Sequence, residues 1–145
     1  MSSGRPFREL AHRVNARPKL RYSWLWWTIG WLLVALTIND SLEPNAPKFA
    51  HLFPSDKVLH FGGYFALAMW FSGITERKRY LLIGFGLIAL GGAIEIAQGA
   101  MRLGREAEWL DFLANSLGVS IALGLAYAGL GMWMVWVERL FWRQK

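Results

Sequence analysis

Ionisable and polar side chains interrupt an otherwise apolar sequence between Glu95 and Gly118, in the stretch EIAQGAMRLGREAEWLDFLANSLG. Such side chains are costly at membrane depth and persist mainly where they line a cavity or pair with one another. Glu95 is the sharpest signal because a buried, unpaired carboxylate is strongly destabilising. Histidine exchanges protons near neutral pH, so His60 offers acid–base chemistry. Arg105 offers two parallel hydrogen bonds to a phosphate or carboxylate.

Polar residues recur three or four positions apart on three separate segments, which places each set on one helix face. Counting about 1.5 Å per residue from a basic boundary at Arg79 puts Glu95 in the outer third of a membrane. The other two sets start from the same side, so we expect one polar pocket that opens to the outer leaflet. The sets are Asp56, His60 and Tyr64; Glu95 and Gln98; and Asp111 and Asn115.

The predicted ligand-binding residues all have polar or charged side chains and all lie near the outer side of the membrane. No catalytic residue is assigned, although His60 and Glu95 are the candidates for proton transfer. Both also fit a structural role: His60 as a hydrogen-bonded helix contact, and Glu95 as an ion pair with Arg105 or Lys57. The predicted ligand-binding set is Asp56, Lys57, His60, Tyr64, Glu95, Gln98, Arg105, Asp111 and Asn115.

Structural alternatives exist for the remaining polar residues. Arg105 also fits a loop cation that pairs with Asp111, and Tyr64 also fits a packed aromatic with a satisfied hydroxyl. Asp111 and Asn115 both suit a helix N-terminus, but Asn115 lies too deep for capping alone. Its position favours hydrogen bonding to another helix.

A metal site is not expected from the sequence. Asp56, His60, Glu95 and Asp111 have the right ligand types, but their spacing matches no ligand motif such as H-E-x-x-H, and a nearby arginine would repel a cation. The chain has no cysteine, which excludes disulfides, thiolate chemistry and cysteine-based metal sites. No glycine-rich phosphate loop follows a strand, so we expect no nucleotide or other cofactor.

Composition indicates an integral membrane protein of one domain. The 145 residues are 54% hydrophobic, with 9 tryptophans, and the apolar residues lie in long uncharged runs. The formal net charge of +6 does not indicate nucleic-acid binding, because the basic residues flank the apolar runs. Membrane orientation and anionic lipid head groups explain that pattern better.

Four apolar segments predict an all-α bundle of four transmembrane helices. Most of the 16 Lys and Arg residues fall on one side of the membrane if both termini are cytoplasmic, so we expect a multi-pass protein in that orientation. The predicted spans are Tyr22 to Ile38, Val58 to Ile74, Tyr80 to Met101, and an overlong Phe112 to Val137 that must tilt or project. The predicted division is a basic cytoplasmic tail at 1–21, a membrane domain at 22–138 and a basic cytoplasmic C-terminus at 139–145.

Small residues recur every four positions along the last predicted helix, at Ser116, Ser120, Gly124 and Ala128. Such a stripe permits close approach of another helix. We expect it to pack inside the bundle, with a homodimer interface as the alternative, since a chain of this size leaves little room to enclose a large substrate.

The segments DKVLHFGGY, EIAQ and GREAEWLDFLANSLG together resemble the signature of the VanZ-like family, small bacterial membrane proteins named after a teicoplanin-resistance protein. The resemblance is close over positions 56–118. It implies membrane location and a link to glycopeptide resistance or envelope physiology, and it supplies no mechanism. The family pattern falls on Asp56, Lys57, His60, Tyr64, Glu95, Gln98, Arg105, Asp111, Asn115 and Gly118.

The resemblance, more than the residues themselves, favours a membrane protein whose pocket binds the head group of a lipid-linked envelope precursor, with Arg105 and Lys57 as charge partners. An intramembrane enzyme that uses His60 and Glu95 on such head groups is one alternative. A structural accessory subunit is the other, so the sequence leaves enzymatic activity open. The expected partners are membrane lipids and the precursor, and no nucleic acid.

Overall fold

The computed structural model describes residues 20–43, 55–101 and 108–142. These ranges contain helices and short turns and no strand, which confirms the all-α prediction for this part of the chain. Two 3-10 turns, Arg77–Arg79 and Leu130–Met132, precede the third and fifth α-helices. The α-helices are α1 (Ser23–Leu42), α2 (Asp56–Ile74), α3 (Tyr80–Met101), α4 (Trp109–Tyr127) and α5 (Trp133–Trp142).

Helices α2 and α4 form the closest-packed pair and the centre of the bundle. Ala68 of α2 and Ala122 of α4 are both fully buried. A Cβ atom at Gly118 of α4 would overlap the carbonyl oxygen of Phe61 in α2, so only glycine permits this separation. The backbones therefore approach closely at the middle of α4, against Phe61 and Phe65 of α2.

The helix directions alternate, so that four helix ends meet at one end of the bundle. The Gln98 amide, near the end of α3, donates to the carbonyl oxygen of Ser41, near the end of α1, at 2.7 Å. Lys57 and Asp111, near the starts of α2 and α4, are joined at 2.9 Å. The most polar part of the sequence is thereby collected at that end.

Three helices of the described ranges are long and apolar enough to cross a membrane: Ser23–Leu42, Arg77–Met101 and Trp109–Tyr127. The outer faces of the helices carry exposed apolar side chains; Leu81 of α3, for example, is 74% exposed. The second predicted span is confirmed as a helix, but α2 is not among those three. Its charged and polar residues, several of them buried, lower its mean hydropathy.

The fourth predicted span, Phe112 to Val137, is wrong as one continuous helix. Helix α4 ends at Tyr127, and Gly129 has a φ of +118°, a backbone conformation that ends a right-handed helix and favours glycine. The chain then turns into the separate helix α5. Hydropathy misses this break because no charge interrupts the sequence there.

The small-residue stripe on α4 does not pack inside the bundle, so that prediction is also wrong. Ser120 and Gly124 are exposed, and the hydroxyls of Ser116 and Ser120 donate to carbonyl oxygens of their own helix. The buried face of α4 instead contains Asn115, Gly118 and Ala122, none of which belongs to the stripe. The homodimer alternative remains a prediction.

At the opposite end of the bundle, the carboxylate of Glu138 in α5 holds the start of α1. It accepts hydrogen bonds from the backbone N–H groups of Arg21 at 2.8 Å and Tyr22 at 3.2 Å, and from the Trp26 indole at 2.8 Å. Helix α1 has no side-chain cap of its own, so this carboxylate satisfies donors at its N-terminal end. Burial raises the pKa of Glu138, but the hydrogen bonds outweigh burial and hold the pKa below its ordinary value.

Candidate functional site

The predicted site residues that lie in the described ranges gather where α1 and α3 end and α2 and α4 begin. We call this group, together with Glu108, the polar cluster. Several of its side chains are buried although the surrounding helices are apolar. Its members are Asp56, Lys57, His60, Tyr64, Glu95, Gln98, Glu108, Asp111 and Asn115.

Asp111 lies at the centre of the cluster, and its side chain is only 8% exposed. Its Oδ1 atom accepts a hydrogen bond from Lys57 Nζ at 2.9 Å. The same Nζ atom donates to Glu108 Oε2 at 2.6 Å, and the Glu108 side chain is 54% exposed. Lys57 therefore ties the start of α2 to the start of α4, where carboxylates also complement the positive end of the helix dipole.

His60 lies between two carboxylates. Its Nε2 atom is 3.6 Å from Asp56 Oδ2 on the preceding turn of α2 and 3.6 Å from Asp111 Oδ2 on α4. Both distances exceed those of good hydrogen bonds but remain within ion-pair range. The His60 side chain is buried, whereas that of Asp56 is exposed. The imidazole thus connects the surface of the cluster with its interior.

Glu95 and Gln98 attach the end of α3 to its neighbours. Glu95 Oε2 accepts a hydrogen bond from the backbone N–H of Glu108 at 3.0 Å, directly before α4. Gln98 satisfies the Ser41 carbonyl oxygen, one of the last four of α1, which has no partner within its own helix. Gln98 therefore connects the end of α3 to the end of α1.

Tyr64 and Asn115 lie one helical turn deeper than His60 and Asp111 and are almost fully buried, with exposed fractions of 2% and 1%. Both are close to Gly91 of α3: a Cβ atom there would lie 3.1 Å from Asn115 Nδ2 and 3.4 Å from the Tyr64 ring. Within the described ranges, Tyr64 Oη and Asn115 Oδ1 have no hydrogen-bond partner. Buried polar atoms of this kind usually contact water or a ligand.

The profile of the VanZ/LLP1 family matches residues 4–135. The chain belongs to the VanZ/LLP1 family. The match covers the whole polar cluster and the four long helices, and it confirms the resemblance drawn from the three sequence segments. No curated protein and no solved structure matches the chain.

In this VanZ/LLP1 protein the structure brings Asp56, Lys57, His60 and Asp111 into mutual contact, although they lie on two helices. The predicted role of Arg105 lies outside the described residues and stays a prediction. Membership of the VanZ/LLP1 family with apolar helices of spanning length also supports a membrane protein.

Sequence reasoning missed Glu108, which contacts two members of the cluster. Its carboxylate binds Lys57, and its backbone N–H binds Glu95. The available signal was its place directly before α4, three residues ahead of Asp111, since acidic residues are favoured at helix starts. In the described part of the VanZ/LLP1 chain, the cluster has four carboxylates and one lysine, so it is acidic.

Proposed function

We propose that this VanZ/LLP1 protein is a multi-pass inner-membrane protein whose polar cluster binds the head group of a lipid-linked envelope precursor. The observation that carries the proposal is the convergence of buried polar side chains, Asp111 and Asn115 among them, at one end of an apolar bundle. A membrane protein retains such groups mainly for a ligand pathway or a helix contact. Tyr64 Oη and Asn115 Oδ1, which have no hydrogen-bond partner among the described residues, favour the ligand.

Charge distribution supports the orientation of the cluster. Arg77, Lys78 and Arg79 lie at the opposite end of α2 and α3, and Arg21 precedes α1 at that same end. Basic residues favour the cytoplasmic side, so the cluster faces the outer leaflet. Helix α2 is enclosed by α1, α3 and α4, which are more apolar than α2. If α2 is counted as the fourth membrane span, both termini are cytoplasmic.

The chemistry of the cluster suits a head group that carries hydroxyl and amide donors as well as phosphate. Asp56 and Glu108 are exposed and supply acceptors at the mouth of the cluster. Lys57, with its side chain 38% exposed, supplies a positive charge among the described residues of the cluster. Arg105 adds a second cation in the predicted arrangement.

Direct binding tests this proposal. The purified protein in lipid nanodiscs is titrated with a polyprenyl-diphosphate-linked disaccharide peptide, and the polyprenyl alcohol without a head group serves as the reference ligand. We expect the head group to strengthen binding, and we expect Asp111→Asn to abolish that difference. Glu76→Gln is the matched control, because Glu76 is a carboxylate paired with Lys78 at 2.7 Å at the other end. Equal binding of both ligands by the wild type would overturn the proposal.

Teicoplanin susceptibility tests the physiological link that the family resemblance implies. Cells with a permeable outer membrane, or without one, carry wild type, Glu95→Gln or Arg105→Ala at matched expression, and the amount of each in the membrane is measured. We expect the wild type to lower susceptibility and both folded variants to lose that effect. Loss of both variants from the membrane would instead indicate a structural accessory role.

An acid–base enzyme acting on the same head group is the second candidate, favoured by the position of His60 between Asp56 and Asp111. A histidine held by a carboxylate is suited to proton transfer. In the nanodisc assay, an enzyme would convert the precursor to a product detected by mass spectrometry. His60→Gln would then abolish conversion while head-group binding persists, whereas a binding protein returns the precursor unchanged.

A further inference from the structure

Asp56, His60 and Asp111 offer three ligand atoms that lie close together. One oxygen of each carboxylate and one imidazole nitrogen all lie within 4.8 Å of one another. Asp56 and His60 are one turn apart on α2, the spacing that puts two ligands on the same helix face. Asp111 completes the set from α4. The sequence did not lead us to expect a metal, because the spacing matches no ligand motif and a nearby arginine would repel a cation. In the structure the third ligand comes from another helix, which a sequence motif does not show.

We propose that Asp56, His60 and Asp111 bind one divalent transition-metal cation, of which Zn²⁺ is the best representative. One imidazole and two carboxylates match the ligand preferences of such ions better than those of Mg²⁺ or Ca²⁺, which favour oxygen ligands throughout. Three protein ligands leave a fourth position for water or for an oxygen of a bound molecule.

The distances in the cluster fit a shared cation better than direct hydrogen bonds. His60 Nε2 is 3.6 Å from an oxygen of each carboxylate, which is too long for a strong hydrogen bond. Ligands at about 2.0 to 2.2 Å from a tetrahedral ion are separated by roughly 3.3 to 3.6 Å. The observed separations therefore leave room for the ion between the nitrogen and the oxygens.

Lys57 orients the cation-facing side of Asp111. It binds Asp111 Oδ1, and this contact leaves Oδ2 directed toward His60. Partners of this kind, which hold a ligand without touching the metal, are common around metal sites. Glu108 binds the same lysine and offsets its charge, so Lys57 does not leave the site positive.

A second observation indicates a polar occupant in the same cluster, one helical turn deeper. Tyr64 Oη follows His60 by one turn of α2, and Asn115 Oδ1 follows Asp111 by one turn of α4. Both atoms are more than nine-tenths buried and have no hydrogen-bond partner among the described residues. A water molecule bound to the cation would bring hydrogen-bonding groups into the same interior.

Metal titration of the purified chain in nanodiscs, without any head-group ligand, tests the site. A chelator first strips the chain and is removed; Zn²⁺ is then added and the unbound ion is washed away. We expect the wild type to retain roughly one Zn²⁺ per chain by elemental analysis. Bound Co²⁺ is expected to give the visible absorption bands of a low-coordinate site. These bands should disappear when Zn²⁺ displaces the Co²⁺. His60→Gln and Asp56→Asn should each weaken binding by about tenfold or more, as removing a ligand costs at least as much as disturbing its support.

Asp56→Asn protects this test against misfolding because the Asp56 side chain is exposed. Glu76→Gln is the charge-matched control and should bind Zn²⁺ like the wild type. Equal Zn²⁺ affinity in the wild type and in folded Asp56→Asn would overturn the proposal, as would a wild type that retains no metal.

The cation site shares Asp56 and Asp111 with the proposed head-group site, but each proposal has its own measurement and the two can fail separately. Stoichiometric Zn²⁺ with no preference for the diphosphate head group would overturn only the head-group proposal. Head-group binding that EDTA leaves unchanged, together with a wild type that retains no metal, would overturn only the cation site.

Discussion

Asp111 organises the polar cluster at the scale of single residues. Each of its two oxygens has a separate neighbour: Oδ1 accepts from Lys57, and Oδ2 faces His60. The sequence left a choice between helix capping and function for this residue. Its position in the first turn of α4 suits the helix start, but its contacts cross to α2. Asp111 therefore both suits the start of α4 and connects α4 to α2.

Asp111→Asn should destabilise the protein more than Glu108→Gln, although both acids bind the same lysine. The Asp111 side chain is 8% exposed and that of Glu108 is 54% exposed, so water replaces the lost interaction more easily at Glu108. Thermal unfolding of both variants in the same detergent, without added metal, measures the difference. Equal melting temperatures would contradict the assignment of Asp111 as the central contact.

Glu138 should make stability depend on acidity. Because its pKa in the folded protein is below the ordinary 4.5, the carboxylate stabilises the fold at neutral pH, and this stabilisation is lost as pH falls through the folded-state value. We expect Glu138→Gln to melt at a lower temperature at pH 7 and to differ less from the wild type under strongly acidic conditions. Melting curves across this pH range test the expectation, and a constant difference would contradict it.

At the scale of helices, the contact between α2 and α4 determines where the polar residues meet. Gly118 permits the close approach, since any larger side chain would overlap the Phe61 carbonyl of α2. The same two helices carry Asp56, His60 and Asp111. A change in their separation would therefore move the ligand atoms of both helices relative to one another.

Gly118→Ala should destabilise the bundle, whereas Gly124→Ala on the same helix should be neutral or slightly stabilising. The added methyl group at Gly118 overpacks a close backbone contact, which costs about 1 to 3 kcal/mol. At Gly124 no atom of the described residues lies within 4 Å of the added Cβ, and alanine favours helix. Unfolding of the two variants in matched micelles measures the effect. Equal stability would show that α2 and α4 separate without cost.

At the scale of the whole molecule, charge and polarity are segregated to opposite ends of an apolar bundle. The acidic cluster lies at one end, and the basic turn Arg77–Arg79 lies at the other with Glu138 and the start of α1. Exposed apolar side chains, such as Leu82 at 70%, cover the faces between the ends. This distribution suits a lipid environment with a cytoplasmic basic end.

Cysteine labelling should confirm this orientation, because the chain contains no cysteine of its own. Ser55→Cys should react with a membrane-impermeant maleimide added from the outer face, since Ser55 is exposed and makes no side-chain capping bond. Lys78→Cys should react only after the inner membrane is opened. Labelling of both positions from the outside would exclude the proposed arrangement of spans.

The sequence predicted the first three helices and the helix faces that carry polar residues. Helices α1 and α3 were found because uncharged runs and basic flanks are local properties of the chain. The break at Gly129 was missed, since the sequence there stays apolar and the turn depends on a backbone conformation and on packing. Ser120 and Gly124 were likewise placed on the wrong face, because spacing alone does not indicate which side meets a neighbour.

The sequence by itself therefore determined that this chain forms apolar helices with polar residues gathered at one level, because hydropathy and helical spacing act along the chain. Only the tertiary structure decided which of those residues meet. The contact of Lys57 with both Asp111 and Glu108, and the place of His60 between two carboxylates, depend on the rotation and separation of α2 and α4. Those quantities are set by packing between distant segments, as at Gly118, and no local pattern contains them.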